Sequence, residues 1–216
     1  MGQHTTFRLS IISALLAALI LAGCGTSRAA KFYLLSATSP VEAAASQGAA
    51  QHPAAVLGIG PIMIADYLDR PQIVTRIGAN ELALAEFDRW GGSLQQNVAT
   101  VLAENLSALL AADHIAVVPW DRSGPLAYRL AVDVTRFDAT PGQSVRLRAL
   151  WTLSGPDGTS AEVTRESNVT EPATERRYAA IAEAMSRSLG SLSREQAASI
   201  RSFIQNAGKG EAPGKR

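Results

Sequence analysis

SLQQNVATVLAENLSALL, residues 93–110, decides the fold of this chain because it carries the clearest periodic pattern in it. Ser93 and Gln96 have the S-x-x-Q spacing of a capping box, which predicts that a helix begins here. One apolar stripe then recurs at spacings of three and four residues, and its members are Leu94, Val98, Val101, Leu102, Leu106, Leu109 and Leu110. A helix with one apolar face must bury it against another layer, and strand patterns on both sides indicate a sheet.

Strand patterns precede this helix. Residues 31–36 and 55–62 are rich in apolar and aromatic side chains, which is typical of strands. Residues 72–76 and 81–86 flank Gly78-Ala79-Asn80, and this arrangement predicts a hairpin. The sequence therefore predicts several strands before the helix of residues 93–110.

More strands follow it. Residues 115–119 form a short apolar run that ends in proline, and residues 128–134 alternate with their apolar side chains on one face. Phe137 is out of phase with that face, which indicates a bulge or a strand end. Residues 145–153 alternate again, whereas residues 161–169 are more polar and are expected near a sheet edge.

The last part of the chain is predicted as helix and tail. An apolar stripe, Tyr178, Ile181, Met185 and Leu189, is interrupted by Gly190. Ser193 and Gln196 then repeat the S-x-x-Q spacing, which predicts a new helix start. The elements together predict an α+β fold, a single domain over residues 31–206 with a mixed or antiparallel sheet and helices packed on one face. Residues 37–53, rich in Ala, Ser and Gln, are predicted to be a flexible segment, and residues 207–216 a disordered tail.

The first residues are typical of an export signal. Arg8 precedes a mainly apolar run, residues 9–21, which is shorter than the roughly 20 residues of a spanning helix. Small residues end the run, so residues 1–23 are predicted to be a signal peptide. Residues 21–24, Leu-Ala-Gly-Cys, resemble the lipobox of bacterial lipoproteins. The alternative is a chance cysteine at the end of an ordinary export signal.

The lipobox resemblance implies that Cys24, the only cysteine in the chain, is lipidated. Cleavage would precede it, a diacylglyceryl group would join its sulfur, and its amine would be acylated. Three acyl chains would anchor the protein durably, since stable anchoring takes more than one chain. Residues 24–30 would then be a lipidated tether that keeps the domain close to the membrane. Gly25 in place of an aspartate implies the outer membrane, with inner-membrane anchoring left open.

Charge and composition argue against several classes of function. Without the signal peptide the chain has 19 basic and 19 acidic residues, and this balance argues against binding to nucleic acid. His52 and His114 are the histidines that remain, and neither has a His or Cys partner at metal-ligand spacing. His114 is interpreted as a turn or capping residue in preference to a general base. We therefore expect no enzyme activity, no metal, and no cofactor apart from the acyl groups on Cys24.

Five segments resemble the ABC-type transport auxiliary lipoprotein family. They are Tyr-Leu-Asp-Arg-Pro-Gln-Ile-Val-Thr-Arg at 67–76, Arg-Trp at 89–90, Val-Val-Pro-Trp at 117–120, Arg-Phe-Asp at 136–138 and Val-Arg-Leu-Arg-Ala-Leu-Trp at 145–151. The first is the most specific, and the resemblance extends from Phe32 to about Phe203. It implies a non-catalytic lipoprotein that serves a lipid-transport system built from an ABC ATPase, a permease and a protein with mammalian-cell-entry (MCE) domains.

The resemblance also implies a role and a surface. The lipoprotein would tether the periplasmic MCE assembly to the outer membrane, face the periplasm and support membrane integrity; self-association is left open. The alternative function is an outer-membrane lipoprotein that activates peptidoglycan synthases. The predicted partner-binding residues are Tyr67, Leu68, Asp69, Arg70, Pro71, Gln72 and Trp90. The competing interpretation makes Asp69 and Arg70 a turn-stabilising ion pair, and Tyr67 and Trp90 packing aromatics.

Overall fold

In this computed structural model, the described residues form one mixed sheet of eight strands with two helices packed on it. The structure describes residues 28–38, 53–120, 125–156 and 163–210, with side chains described as far as residue 206. Residues 1–30 and 31–216 are separate units, and of the first only the exposed residues 28–30 are described. Cys24, the predicted signal peptide, most of the predicted flexible segment and residues 211–216 lie outside the described residues.

The elements follow the predicted order. The strands are β1 (Lys31–Tyr33), β2 (Ala55–Ile64), β3 (Gln72–Arg76), β4 (Leu82–Trp90), β5 (Ile115–Pro119), β6 (Tyr128–Thr140), β7 (Ser144–Ser154) and β8 (Val163–Pro172). The helices are α1 (Leu94–Leu110) and α2 (Tyr178–Gly210), and short 3₁₀ turns lie at Asp66–Leu68 and Ala111–Asp113.

The long strand β6 is the centre of the sheet. On one side it pairs in parallel with β2 along its first half and with β3 near Ala139, and on the other it pairs antiparallel with β7. Beyond these, β5 lies parallel to β2, β4 antiparallel to β3, β1 parallel to β4, and β8 antiparallel to β7 at the sheet edge. The predicted mixed sheet, the hairpin of residues 72–86 and the edge position of the polar strand are confirmed.

A bulge in β6 explains the phase of Phe137. The register with β7 shifts between Val134 and Arg136, because one extra residue in a strand inverts the alternation that follows it. Val134 and Phe137 are consequently both fully buried. The same shift puts Arg136 and Asp138 on the sheet face opposite the helices.

The core lies between that sheet and the two helices. Val145, Leu147, Ala149, Trp151 and Leu153 of β7 are all buried, as are six residues of the α1 stripe, Leu94, Val98, Val101, Leu102, Leu106 and Leu110. The α1 start is also as predicted, since the Ser93 hydroxyl accepts a 3.3 Å hydrogen bond from the Gln96 amide. Helix α1 contacts β2 and β5, and α2 contacts β7, β8 and α1, so the helices form one layer.

The predicted break in the last helix is wrong. Helix α2 is continuous from Tyr178 to Gly210, and Ser193 is a buried residue whose hydroxyl donates to the carbonyl of Leu189 at 2.8 Å. Ser193 therefore does not cap a second helix. Gly190 is needed for space instead, because a Cβ there would collide with the side chain of Thr38. The helix also runs four residues into the predicted tail, since an established helix gains one hydrogen bond for each added residue.

Residues 34–38, which we name the N-terminal strap, lie against both helices. The first strand is predicted to reach Ser36 but ends at Tyr33. The backbone amides that follow donate hydrogen bonds to side chains of the helix layer and not to a neighbouring strand. The bonds are Leu35 N to Asn97 Oδ1 (2.6 Å), Ser36 N to Ser186 Oγ (3.1 Å) and Thr38 N to Asn105 Oδ1 (3.0 Å). Side chains of α1 and α2 thus replace a strand partner for this segment.

Candidate functional site

Tyr67 is carried to the sheet by the 3₁₀ turn that follows β2. This turn brings its hydroxyl to β6, where it donates to Asp138 Oδ2 at 2.9 Å. The same hydroxyl accepts a 3.4 Å hydrogen bond from the Phe137 amide. The first residue of the predicted motif is therefore attached to the strand just after the β6 bulge.

Asp138 is the centre of a buried polar cluster. Only 1% of its side chain is exposed, yet its carboxylate accepts from two arginines as well as from Tyr67. Arg76 donates from Nε at 3.2 Å and from Nη2 at 3.0 Å, and Arg136 donates from Nε at 3.2 Å and from Nη2 at 3.0 Å. A buried carboxylate is tolerated when it is paired and hydrogen-bonded in this way.

The cluster fixes the protonation of both acidic groups. Burial raises the pKa of Tyr67 to about 12, helped by the charge of Asp138 and the hydrogen bond to it. Burial also opposes ionisation of Asp138, and it is the largest single influence on that group. The hydrogen bonds from Arg76, Arg136 and Tyr67 together outweigh it and hold the pKa of Asp138 below its ordinary value of 3.8. At neutral pH the phenol is a donor and the carboxylate is charged.

A depression of about 500 Å³, which we name the arginine pocket, opens beside this cluster. It is lined by Tyr67, Arg76, Thr135, Arg136, Arg146, Leu147, Arg148, Asn168, Val169 and Thr170. Arg146 and Arg148 are two residues apart on β7 and so emerge on the same face, away from the helices. Arg148 donates to Asn168 Oδ1 at 3.0 Å and lies 3.2 Å from Glu166 Oε1. The arrangement is suited to holding negatively charged groups.

The predicted partner-binding residues separate into three groups. Leu68 and Trp90 are 2% and 4% exposed, so their side chains pack in the core and present almost no surface to a partner. Asp69 and Pro71 are exposed, and Tyr67, Arg70 and Gln72 are half-buried. No ion pair joins Asp69 to Arg70, although the structure describes both residues, so the turn is not held by that pair. For the residues other than Leu68 and Trp90, partner binding stays a prediction.

The predicted partner-binding residues include Tyr67 but none of the four arginines that line the pocket. The segments 67–76, 136–138 and 145–151 each carry part of the family resemblance, and the structure brings their charged residues together around one pocket. A usable signal was present, because charged residues two positions apart on a strand share a face. The spacing of Arg136 to Asp138 and of Arg146 to Arg148 has this form.

His114 lies away from this cluster, at the turn after α1. Its backbone is left-handed, with a φ of 55°, and its amide donates to the Ala111 carbonyl at 3.1 Å, so its interpretation as a turn residue is confirmed. Within the described ranges no group of three or more His, Cys, Asp or Glu side chains is arranged to hold a metal ion. Neither described helix combines the length and apolar character needed to cross a bilayer.

Comparison with known families confirms the resemblance. The model of the ABC-type transport auxiliary lipoprotein component matches residues 33–197, which include the turn of Tyr67, the cluster and both arginines of β7. The chain belongs to the ABC-type transport auxiliary lipoprotein family. Membership shows that this domain is an accessory part of an ABC-type transport system of the cell envelope. The match extends from Tyr33, at the end of β1, into α2.

Solved structures show the same fold. A crystal structure of an uncharacterized protein has a TM-score of 0.66 and 17% identity, covering 80% of this chain and 99% of that one. A DUF330 protein from Xanthomonas campestris, of the same family, has a TM-score of 0.60 and 18% identity, covering 84% of this chain and 98% of that one. No curated protein matched the sequence.

Proposed function

We propose that this protein is a non-catalytic lipoprotein, anchored through Cys24 in the outer membrane and facing the periplasm. There it would tether the periplasmic assembly of an ABC and MCE lipid-transport system and so support membrane integrity. The single observation that carries the proposal is the family match over residues 33–197. The lipobox-like residues 21–24 support the anchor, because Cys24 is the only thiol that can accept a diacylglyceryl group.

The chemistry of the Asp138 cluster supports a role without catalysis. An effective general acid or base has a pKa near the working pH. Tyr67 has a pKa of about 12 and therefore holds its proton at neutral pH. Asp138 stays ionised between two guanidinium groups, so it is poorly placed to accept a proton from a substrate. The cluster serves to hold the turn of Tyr67 on the sheet.

The test is purification of the full chain from crosslinked cells through a C-terminal tag. We expect the MCE protein and the permease to copurify, and deletion of the gene to sensitise cells to detergents. A Cys24→Ala chain is the control for anchoring, since it should lose membrane fractionation and recover less of both partners. Recovery of peptidoglycan synthases in place of the transport subunits would overturn the proposal in favour of the alternative function.

A further inference from the structure

The arginine pocket concentrates positive charge that the fold does not neutralise. Four of its lining residues are arginines, Arg76, Arg136, Arg146 and Arg148, and none of the lining residues is acidic. Asp138, beneath the pocket, and Glu166, at its edge, are the carboxylates paired with these arginines. Four guanidinium groups against two carboxylates leave a net charge of about two positive units.

The strand register brings like charges together in this pocket. Arg136 and Arg148 are directly opposite each other on β6 and β7, and like charges at opposed positions destabilise a sheet. The pairing of Arg136 with Asp138 and of Arg148 with Glu166 relieves part of this repulsion. A bound anion would relieve the rest.

Arg146 contributes a guanidinium with no internal role. It is exposed, and in the described part of the chain it makes no hydrogen bond or ion pair. Its neighbour across the strands is Asp138 on one side and Thr170 on the other, but the Asp138 carboxylate already accepts from Arg76, Arg136 and Tyr67. The donors of Arg146 are therefore available to a ligand.

The other arginines are held in place before any ligand arrives. Two hydrogen bonds to Asp138 and one of 3.1 Å to the Ala79 carbonyl fix Arg76. Arg136 donates hydrogen bonds from its Nε and Nη2 to the Asp138 carboxylate, and its Nη1 has no hydrogen bond to a described residue. Rigid donors lose little entropy on binding, so this arrangement favours recognition of a small anion.

We propose that the arginine pocket binds a phosphate group carried by a small polar compound. Guanidinium forks match phosphate oxygens in pairs, and the net positive charge of the pocket suits an anionic phosphate group. The volume of about 500 Å³ is that of a small-molecule site. Thr135, Asn168 and Thr170 line it with polar groups, which suit hydroxyls beside the phosphate and do not suit an acyl chain. The source of the phosphate is a phospholipid headgroup or a free phosphate, inorganic or esterified.

The experiment is calorimetric titration of the full chain in a non-ionic detergent and a phosphate-free buffer. The probes are inorganic phosphate and glycerophosphoglycerol, with sodium chloride at matched ionic strength as the blank. Tighter binding of glycerophosphoglycerol would identify a lipid headgroup as the source, and tighter binding of inorganic phosphate would identify a free phosphate. Both results support the pocket.

Arg146→Gln is the decisive variant, because its side chain has no internal bond to lose. We expect it to weaken phosphate binding roughly tenfold or more, the change for one lost charge-assisted hydrogen bond, with an unchanged melting temperature. Arg165→Gln is the matched control, an exposed arginine of β8 that lies outside the pocket. Equal weakening in Arg165→Gln, binding no tighter than chloride, or binding only of an acidic peptide through Arg146 would each overturn the proposal.

Discussion

The hydroxyl of Tyr67 lies 2.9 Å from Oδ2 of Asp138, although the two residues are 71 positions apart in the chain. This hydrogen bond joins the turn after β2 to the end of β6 beyond its bulge. The motif that begins at Tyr67 is therefore held on the outer face of the sheet by a carboxylate that two arginines keep charged.

Removing the Tyr67 hydroxyl tests this attachment. Tyr67→Phe keeps the ring but takes one donor from a buried charged acceptor, so we expect the free energy of unfolding to fall by about 1.5–3 kcal/mol. Urea unfolding at pH 7 measures it. Tyr33→Phe is the matched control, because its hydroxyl donates to Asp88 at 2.7 Å in a more open place. An equal loss in the two variants would show that burial of Asp138 is unimportant.

Stability is expected to depend on alkaline pH through the same phenol. The folded chain raises the pKa of Tyr67 from 10.0 to about 12, so it favours the neutral form. That contribution is complete below pH 10 and is lost as the pH rises from 10 towards 12. Burial and the neighbouring Asp88 also raise the pKa of Tyr33 to about 12, so Tyr33 contributes to the pH dependence in the same direction. The free energy of unfolding, measured from pH 8.5 to 11.5, should depend less steeply on pH in Tyr67→Phe than in the unaltered chain. The dependence should be weaker still in the double variant with Tyr33→Phe. An unchanged slope in Tyr67→Phe would contradict this prediction.

The half-buried Arg70 of the motif and the helix core should respond differently to truncation. Leu102 is fully buried on α1, and Leu102→Ala should cost about 2–5 kcal/mol of stability through the cavity it leaves. Arg70 has no ion pair among the described residues, so Arg70→Ala should leave folding nearly intact while weakening capture of the transport partner. Thermal melts and copurification measure the two effects. If the Arg70→Ala melt falls as far as that of Leu102→Ala, the motif is structural.

Gly190 should resist a substitution that usually stabilises helices. Alanine in an exposed helix interior is favoured over glycine by about 1 kcal/mol. At this position the new Cβ would meet the Thr38 side chain, so Gly190→Ala should lower the melting temperature and speed hydrogen exchange of the Thr38 amide. Gly92→Ala is the control, since a Cβ there meets nothing within 4 Å. A more stable Gly190→Ala chain would show that the strap moves aside freely.

Patterns within one element were sufficient to predict much of the fold. The cap at Ser93, the α1 stripe, the phase change at Phe137 and the polar edge strand β8 all follow from local periodicity. Gly190 and Ser193 were misinterpreted because a glycine that makes room for Thr38 has the same sequence pattern as a helix end. The distinction depends on a residue more than 150 positions earlier, and periodicity carries no such information.

The candidate site can be predicted only in part from the sequence, for the same reason. The motif predicts a role for Tyr67, whereas the sequence pattern around Asp138 and Arg146 predicts only strands. Their proximity depends on β3, β6 and β7 meeting side by side. Trp90 illustrates the reverse case, since a conspicuous aromatic residue beside an arginine is a core residue at the end of β4.

The N-terminal strap has a mechanical consequence. In a chain anchored at Cys24 as proposed, any pull between the membrane and the domain reaches the fold at Lys31. The pairing of β1 with β4 meets that tension first. The strap passes the remainder to Asn97 and Asn105 of α1 and to Ser186 of α2, so both helices share the load. The arginine pocket, on the opposite face of the sheet, is outside this force path. The domain can therefore stay under strain from its tether without distorting the proposed anion-binding surface.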